Sequence, residues 1–185
     1  MAEHVCPWWI GYLLASPVRK LVHDPKKILG PYVSPGMKVL EPGPGMGFFT
    51  VEMAKLVGPQ GKVLAIDLQP KMLEVLRRRV RKAGFEDRLD ARCAQQTKLG
   101  IDDLAGQMDF ALLFALVHEV PDQERFLSEI ARALAPGKKA LFAEPAGHVS
   151  REAFERTLAT AERCGLRAES RPGIWRSHSA VLVRT

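Results

Sequence analysis

The chain has 185 residues, 46% of them hydrophobic and 26% charged, enough for one domain with a sizeable core and too few for two well-built ones. A net charge of +6 permits a nucleic acid or an anionic surface as partner, but the basic residues are spread out, and the densest run, Arg77-Arg78-Arg79 with Arg81 and Lys82, falls on a predicted helix whose buried face comes from Val75, Leu76 and Val80. Three cysteines, Cys6, Cys93 and Cys164, lie far apart; this excludes a disulfide framework and a cysteine-based zinc site, and points to a reducing, cytoplasmic setting.

Residues 1–30 read as an N-terminal segment, helical from about residue 7, with Trp8-Trp9-Ile10 and Leu13-Leu14 set between Pro7 and Pro17. That apolar patch is too short to span a bilayer and lacks the positive leader of a signal peptide. The turn Ser34-Pro35-Gly36 opens the core, residues 31–185. Strand one runs from Met37 to Leu40, and a helix follows from about Phe48 to Val57. After the turn Gly58-Pro59-Gln60-Gly61, strand two spans Lys62 to Ile66 and a helix spans Pro70 to Ala83. Pro70 suits a first helical turn, where its missing N–H would go unpaired anyway. Strand three is placed near Leu89 to Cys93.

Phe110 to Phe114 is a continuous apolar run, as expected of a central strand buried on both faces. Gln123 to Leu134 is an amphipathic helix closed by Pro136-Gly137, and Lys139 to Ala143 is strand five. Ser150 is the expected N-cap of a helix from Arg151 to Cys164, which Gly165 ends. Two short extended runs around Pro172-Gly173 predict a terminal hairpin. Alternating strands and helices argue for one α/β domain over residues 1–185, with a mostly parallel sheet covered on both faces.

Val39 to Gly47 carries the strongest functional signal. A strand runs into Glu41 and then into Gly43, Gly45 and Gly47 at every second position, before a helical pattern begins. Glycine lets the backbone turn sharply and approach a ligand closely, and a strand–glycine loop–helix unit is how α/β proteins bind nucleotide-like cofactors. A dinucleotide fingerprint beginning at Gly43 would need glycine at position 48, where the chain has Phe48. An acidic residue, Asp67, ends strand two, where it can accept both hydroxyls of a ribose. Its alternative reading is a helix N-cap.

The pattern Glu41-x-Gly43-x-Gly45-x-Gly47, joined by Asp67, resembles motif I of the class I S-adenosylmethionine-dependent methyltransferases. The phrases A-I-D-L-Q-P-K-M-L, V-H-E-V-P-D and A-L-A-P-G-K-K-A-L-F-A-E-P are similar to those of small-molecule members related to quinone-ring C-methylating enzymes. The resemblance covers roughly residues 30 to 185. It implies a Rossmann-like, doubly wound, seven-stranded sheet with its last strand antiparallel, and S-adenosylmethionine as cofactor. Glu41 would stand near the ammonium, the N–H groups of Gly43 to Gly47 would meet the polar edge, and Asp67 would hold the ribose. Leu68, Ala94, Gln95 and Phe114 complete the implied cofactor set. Many relatives hold the adenine amino group with an acidic residue after strand three; here Gln95 stands there, and its side-chain carbonyl could accept that bond or simply face solvent.

On the acceptor side, strand four ends in Ala115-Leu116-Val117-His118-Glu119, without the N/D-P-P-Y/F of enzymes that methylate exocyclic amino groups of bases. His118 is a candidate general base or acceptor-orienting residue, with an ordinary pKa of about 6.5 suited to either task; the alternative is a histidine bonding its own loop. Glu144 and His148 follow strand five, reach the same rim and join His118 as catalytic candidates in one polar cluster. The alternatives are a helix or loop anchor for Glu144 and a bystander near the Ser150 cap for His148. His4, Cys6 and His23 imitate a metal site only irregularly, so none is expected. Trp8, Trp9 and Tyr12 could cover an apolar acceptor, but packing against the domain is the favoured reading.

The expected activity is methyl transfer to carbon, oxygen or sulfur of a small molecule, with an apolar acceptor among the candidates. An RNA methyltransferase, supported by basic charge alone, and a non-catalytic S-adenosylmethionine-binding protein are the alternatives. No stable membrane insertion is expected.

Overall fold

The computed structural model describes residues 23–95 and 97–185. Most of the expected N-terminal helical segment therefore lies outside the described residues; within them stands the short helix α1, Pro25–Leu29, capped by the Asp24 side chain accepting from the Lys26 N–H. Trp8, Trp9, Tyr12, His4 and Cys6 lie outside the described residues.

From α1 the chain alternates strand and helix. The strand β1 (Lys38–Pro42) leads to α2 (Thr50–Leu56), β2 (Lys62–Asp67) to α3 (Pro70–Lys82), then β3 (Leu89–Cys93), β4 (Met108–Phe114), α4 (Gln123–Ala133), β5 (Leu134–Pro145), α5 (Arg151–Arg163), β6 (Leu166–Ser170) and β7 (Ser177–Arg184). The seven strands form one sheet, as the resemblance implied, and their order is β3-β2-β1-β4-β5-β7-β6. Strands β1 to β5 pair in parallel, whereas β7 runs antiparallel between β5 and β6. β6 and β7 form the expected hairpin.

Both faces of the sheet are buried, which is why β4 reads as unbroken apolar sequence. Leu113 and Phe142 point to the side covered by α4 and α5, with Phe142 stacked on Phe154 at 4.8 Å. Phe110, Leu112, Leu141 and Val181 point to the opposite side, with Leu29, Met53 and Ala54 of α1 and α2. Ala65 packs there beneath Leu73, Leu76 and Val80 of α3. Asp122 and Ser150 cap α4 and α5 by accepting from the N–H groups of Arg125 and Ala153.

Several boundaries differ from expectation. β1 extends past Leu40 to Pro42, and α2 starts at Thr50 rather than Phe48, because residues 46–49 are a turn with Phe48 and Phe49 buried. The helix expected to run to Leu134 ends at Ala133. Strand β5 then begins at once, at Leu134, and absorbs Pro136-Gly137 instead of starting at Lys139. The pairing of Met108 with Leu134 and of Phe110 with Lys139 accommodates the extra residues as a bulge, with Gly137 at φ +75°. The outer strands β3 and β6 carry ion pairs: Arg92 with Asp90 and Asp103, and Glu169 with Lys139. Among the described residues no helix is long and apolar enough to cross a membrane.

Candidate active site

All the predicted site residues lie at the carboxyl ends of the parallel strands, where open α/β sheets bind ligands. The loop after β1 has Gly43, Gly45 and Gly47 at φ +62°, +53° and +83°, a left-handed conformation that side chains disfavour. The three glycines meet different surroundings. A Cβ on Gly43 would come within 2.8 Å of Leu116 Cδ1, and one on Gly47 within 2.5 Å of Leu76 Cδ1, whereas one on Gly45 would meet nothing within 4 Å. Gly43 and Gly47 are thus pressed against protein, and Gly45 borders open space that a ligand can enter. The Gly43 N–H donates to Ile66 O at 2.8 Å, and an Arg79 guanidinium N–H donates to Met46 O at 2.9 Å, so β2 and α3 hold the loop from behind.

Glu41, at the start of this loop, is 3% exposed, and one of its oxygens accepts from Thr50 Oγ1 at 2.5 Å. Thr50 escaped the sequence reading; its only signal was a hydroxyl residue opening the helix after a glycine loop. Asp67 ends β2 in register beside Cys93 of β3. Its Oδ1 accepts from the Gln69 N–H at 2.9 Å, but the N-cap position of α3 belongs to Gln69, so Asp67 is not the cap. Burial raises the Asp67 carboxyl above its ordinary range, opposed by N–H groups of Gln69, Gly45 and Leu68.

Leu68 is exposed beside Asp67. Ala94 is half-buried and donates its N–H to Asp67 O at 2.9 Å. The exposed Gln95 bridges Lys98 through backbone bonds in both directions. Phe114 ends β4 on the other flank, packed against Phe49 at 4.6 Å and edge-on to His23 at 5.3 Å. Glu41, Asp67, Leu68 and Ala94 therefore share one rim with the loop. A ligand with an ammonium, a ribose and a base fits that donor set: a buried carboxylate, a second carboxylate beyond an open glycine, and an exposed apolar side chain.

Across the rim, Ala115 takes φ +54° and its N–H donates to Ala143 O at 2.8 Å. This non-glycine left-handed residue redirects the chain into the 3-10 turn Val117–Glu119. Glu144 of β5, 2% exposed, meets that turn twice: its Oε1 accepts from the His118 backbone N–H at 3.2 Å, and Oε2 lies 2.6 Å from His118 Nδ1. The Glu144 bond raises the His118 pKa above its ordinary value, burial opposing. His118 Nε2 points toward Glu119 Oε1, 4.0 Å away; partial burial pushes the Glu119 carboxyl up. His148 is exposed, its ring centred 6.2 Å from that of His118. The structure thus joins His118 to Glu144, with the His148 ring as a neighbour of the pair. Glu119, adjacent to His118 in sequence, belongs to the cluster although the sequence reading passed over it.

A family model described as a methyltransferase domain matches residues 33–171. The chain is 29% identical over 126 residues to the ubiquinone/menaquinone biosynthesis C-methyltransferase UbiE of Hahella chejuensis, covering 66% of this chain and 50% of that protein. It is 31% identical over 124 residues to its counterpart in Shewanella oneidensis, covering 65% and 49%. The chain therefore spans about half the length of these curated relatives. A SAM-dependent methyltransferase from Aquifex aeolicus shares the fold with a TM-score of 0.87 at 24% identity, over 98% of this chain and 100% of that one.

Proposed function

Because the chain belongs to the class I S-adenosylmethionine-dependent methyltransferase family, we propose that it transfers the methyl group of S-adenosylmethionine to carbon, oxygen or sulfur of a small-molecule acceptor. In this reading Glu41 faces the cofactor ammonium, the Gly43–Gly47 loop borders its polar edge, Asp67 accepts from the ribose hydroxyls, and Leu68, Ala94, Gln95 and Phe114 line the remainder. Residues 31–185 are read as one cofactor-binding core, working in the reducing, cytoplasmic setting that the separated cysteines suggest.

The observation that carries the reading is the His118–Glu144 pair, set on the strand ends next to the glycine loop. The cofactor supplies a methyl group already activated on a sulfonium. The chain's own work is then to align the acceptor and exclude water, which can remove several kcal/mol of barrier. Glu144 engages Nδ1 and so fixes the imidazole plane, leaving Nε2 to take a proton from the acceptor as its nucleophilic atom attacks. Such a base adds about 10²- to 10⁴-fold when the nucleophile must lose a proton. The glutamate also makes the imidazole a stronger base than a free one.

The rim argues against RNA as acceptor. Glu119 adds an exposed carboxylate on the acceptor side, while on the α3 side Arg81 is paired with Glu86 and Arg77 and Arg79 are bonded to backbone carbonyls. Incubation with S-adenosylmethionine carrying a labelled methyl group and a fractionated metabolite and RNA extract tests the proposal. Label in the small-molecule fraction is expected. Label in RNA, or in neither fraction while the cofactor binds, contradicts it.

A further inference from the structure

Glu119 ends the turn that joins the two halves of the rim. Its backbone N–H donates to Leu116 O at 2.9 Å, and the Leu116 side chain occupies the space against which Gly43 is pressed. The turn is thereby seated on the glycine loop. On its other side the Glu119 carboxylate approaches His118 Nε2 at 4.0 Å, the nitrogen that the Glu144 bond leaves available. The negative charge of Glu119 is also felt at Asp67. The Glu119 carboxylate therefore lies beside the acceptor-side nitrogen of His118, and its charge acts toward the ribose side as well.

That placement matters if the cofactor reading holds, and the inference rests on it. In S-adenosylmethionine the sulfonium is joined through a single methylene to the ribose, which Asp67 is positioned to hold. Its methyl group must face an acceptor whose proton His118 can take. The positive sulfur then falls in the interval between Asp67 and His118. We propose that Glu119 is the residue that makes this chain prefer the sulfonium cofactor over its neutral demethylated product, S-adenosylhomocysteine, so that transfer of the methyl group also weakens the hold on what remains.

The two compounds share adenine, ribose, ammonium and carboxylate, and differ in one methyl group and its positive charge. Contacts to the shared groups bind both alike; what separates them is contact with the methyl group itself and a negative charge facing the sulfur. Glu144 is already committed to His118 at 2.6 Å and Glu41 to Thr50 at 2.5 Å, whereas Glu119 stays at 4.0 Å from its neighbour. With its side chain 38% exposed, Glu119 keeps contact with solvent, so its attraction for the sulfonium is the modest, salt-sensitive kind found near a protein surface.

Calorimetric titration of the unaltered chain and of Glu119→Gln with each compound decides it. The substitution is isosteric and lies on a surface turn, and a thermal melt confirms folding. The expected result is about a five- to tenfold loss of affinity for S-adenosylmethionine, with S-adenosylhomocysteine affected less than about twofold. Added salt narrows the preference of the unaltered chain. Asp67→Ala serves as the contrast and weakens both compounds, because both carry the ribose. An unchanged affinity ratio in Glu119→Gln overturns the inference and leaves the cofactor reading intact. Failure of the unaltered chain to bind either compound overturns both.

Discussion

Glu144 grips His118 with both oxygens, one on the backbone N–H at 3.2 Å and one on Nδ1 at 2.6 Å. The same residue therefore positions the turn and sets the chemistry of the ring that the turn presents. If His118 is the base, it works only when unprotonated, and its raised pKa places the acid limb of the turnover profile above the ordinary histidine value of about 6.5. Glu144→Gln keeps the shape but removes the charge, so the limb is expected to move to lower pH while turnover at its plateau falls. A limb that stays in place in a pH-rate series would separate Glu144 from the titration.

His118→Ala is expected to lower turnover by about 10²-fold or more with nearly unchanged affinity for S-adenosylmethionine. Initial rates and calorimetry on the same preparation read both quantities. Equal turnover would return His118 to a purely structural role.

Asp67→Ala is expected to weaken S-adenosylmethionine binding by about 1.5–3 kcal/mol, since the bonds to ribose would be charge-assisted. Asp67→Asn reports on the ligand-free protein. The folded pKa of Asp67 is raised, so its favourable contribution to stability is complete below the unfolded carboxylate value and is lost as pH rises through the folded one. At neutral pH the ionised side chain therefore opposes folding. A higher melting temperature for Asp67→Asn without ligand is expected at pH 7, with the advantage shrinking as pH falls; a lower one would show that the N–H donors outweigh burial.

Alanine in the glycine loop separates scaffold from cradle. Gly47→Ala meets Leu76 as well as an unfavourable φ, and is expected to destabilise by about 1–3 kcal/mol. Gly45→Ala meets no neighbour; it should cost only the backbone term of about 1–2 kcal/mol yet strongly weaken cofactor binding. Chemical denaturation paired with calorimetry checks the contrast, and equal binding by Gly45→Ala would remove that glycine from the cleft.

Thr50→Val strips the donor from a buried carboxylate, at an expected cost of about 1–3 kcal/mol in stability or cofactor affinity. Thr50→Ser, which keeps the hydroxyl, is expected to recover most of it. Denaturation and binding curves that fail to distinguish the two variants would deny the hydroxyl any part in orienting Glu41.

Strand and helix order were legible because burial on both faces writes itself as apolar runs, as in β4, and because turns such as Gly58–Gly61 carry their own residues. Pro136-Gly137 misled for a physical reason: a bulge can keep such a pair inside a strand when neighbouring pairing resumes on the far side, as it does at Lys139. The site was legible wherever position along a strand fixes location, which is why Glu41, Asp67, His118 and Glu144 could all be named. Their partnerships were not. Thr50 reaches Glu41 across nine positions and Glu144 reaches His118 across twenty-six, and such contacts depend on how the loops close. Gln95 was read by its side chain, whereas the bonds seen there are those of its backbone with Lys98.

The ionic dress of β3 and β6 bears on how this molecule behaves when crowded. A foreign segment zipping onto either margin would meet charged side chains, Asp90 and Arg92 on one and Glu169 on the other, which discourage its approach. Fibrous stacking is thereby discouraged at both flanks.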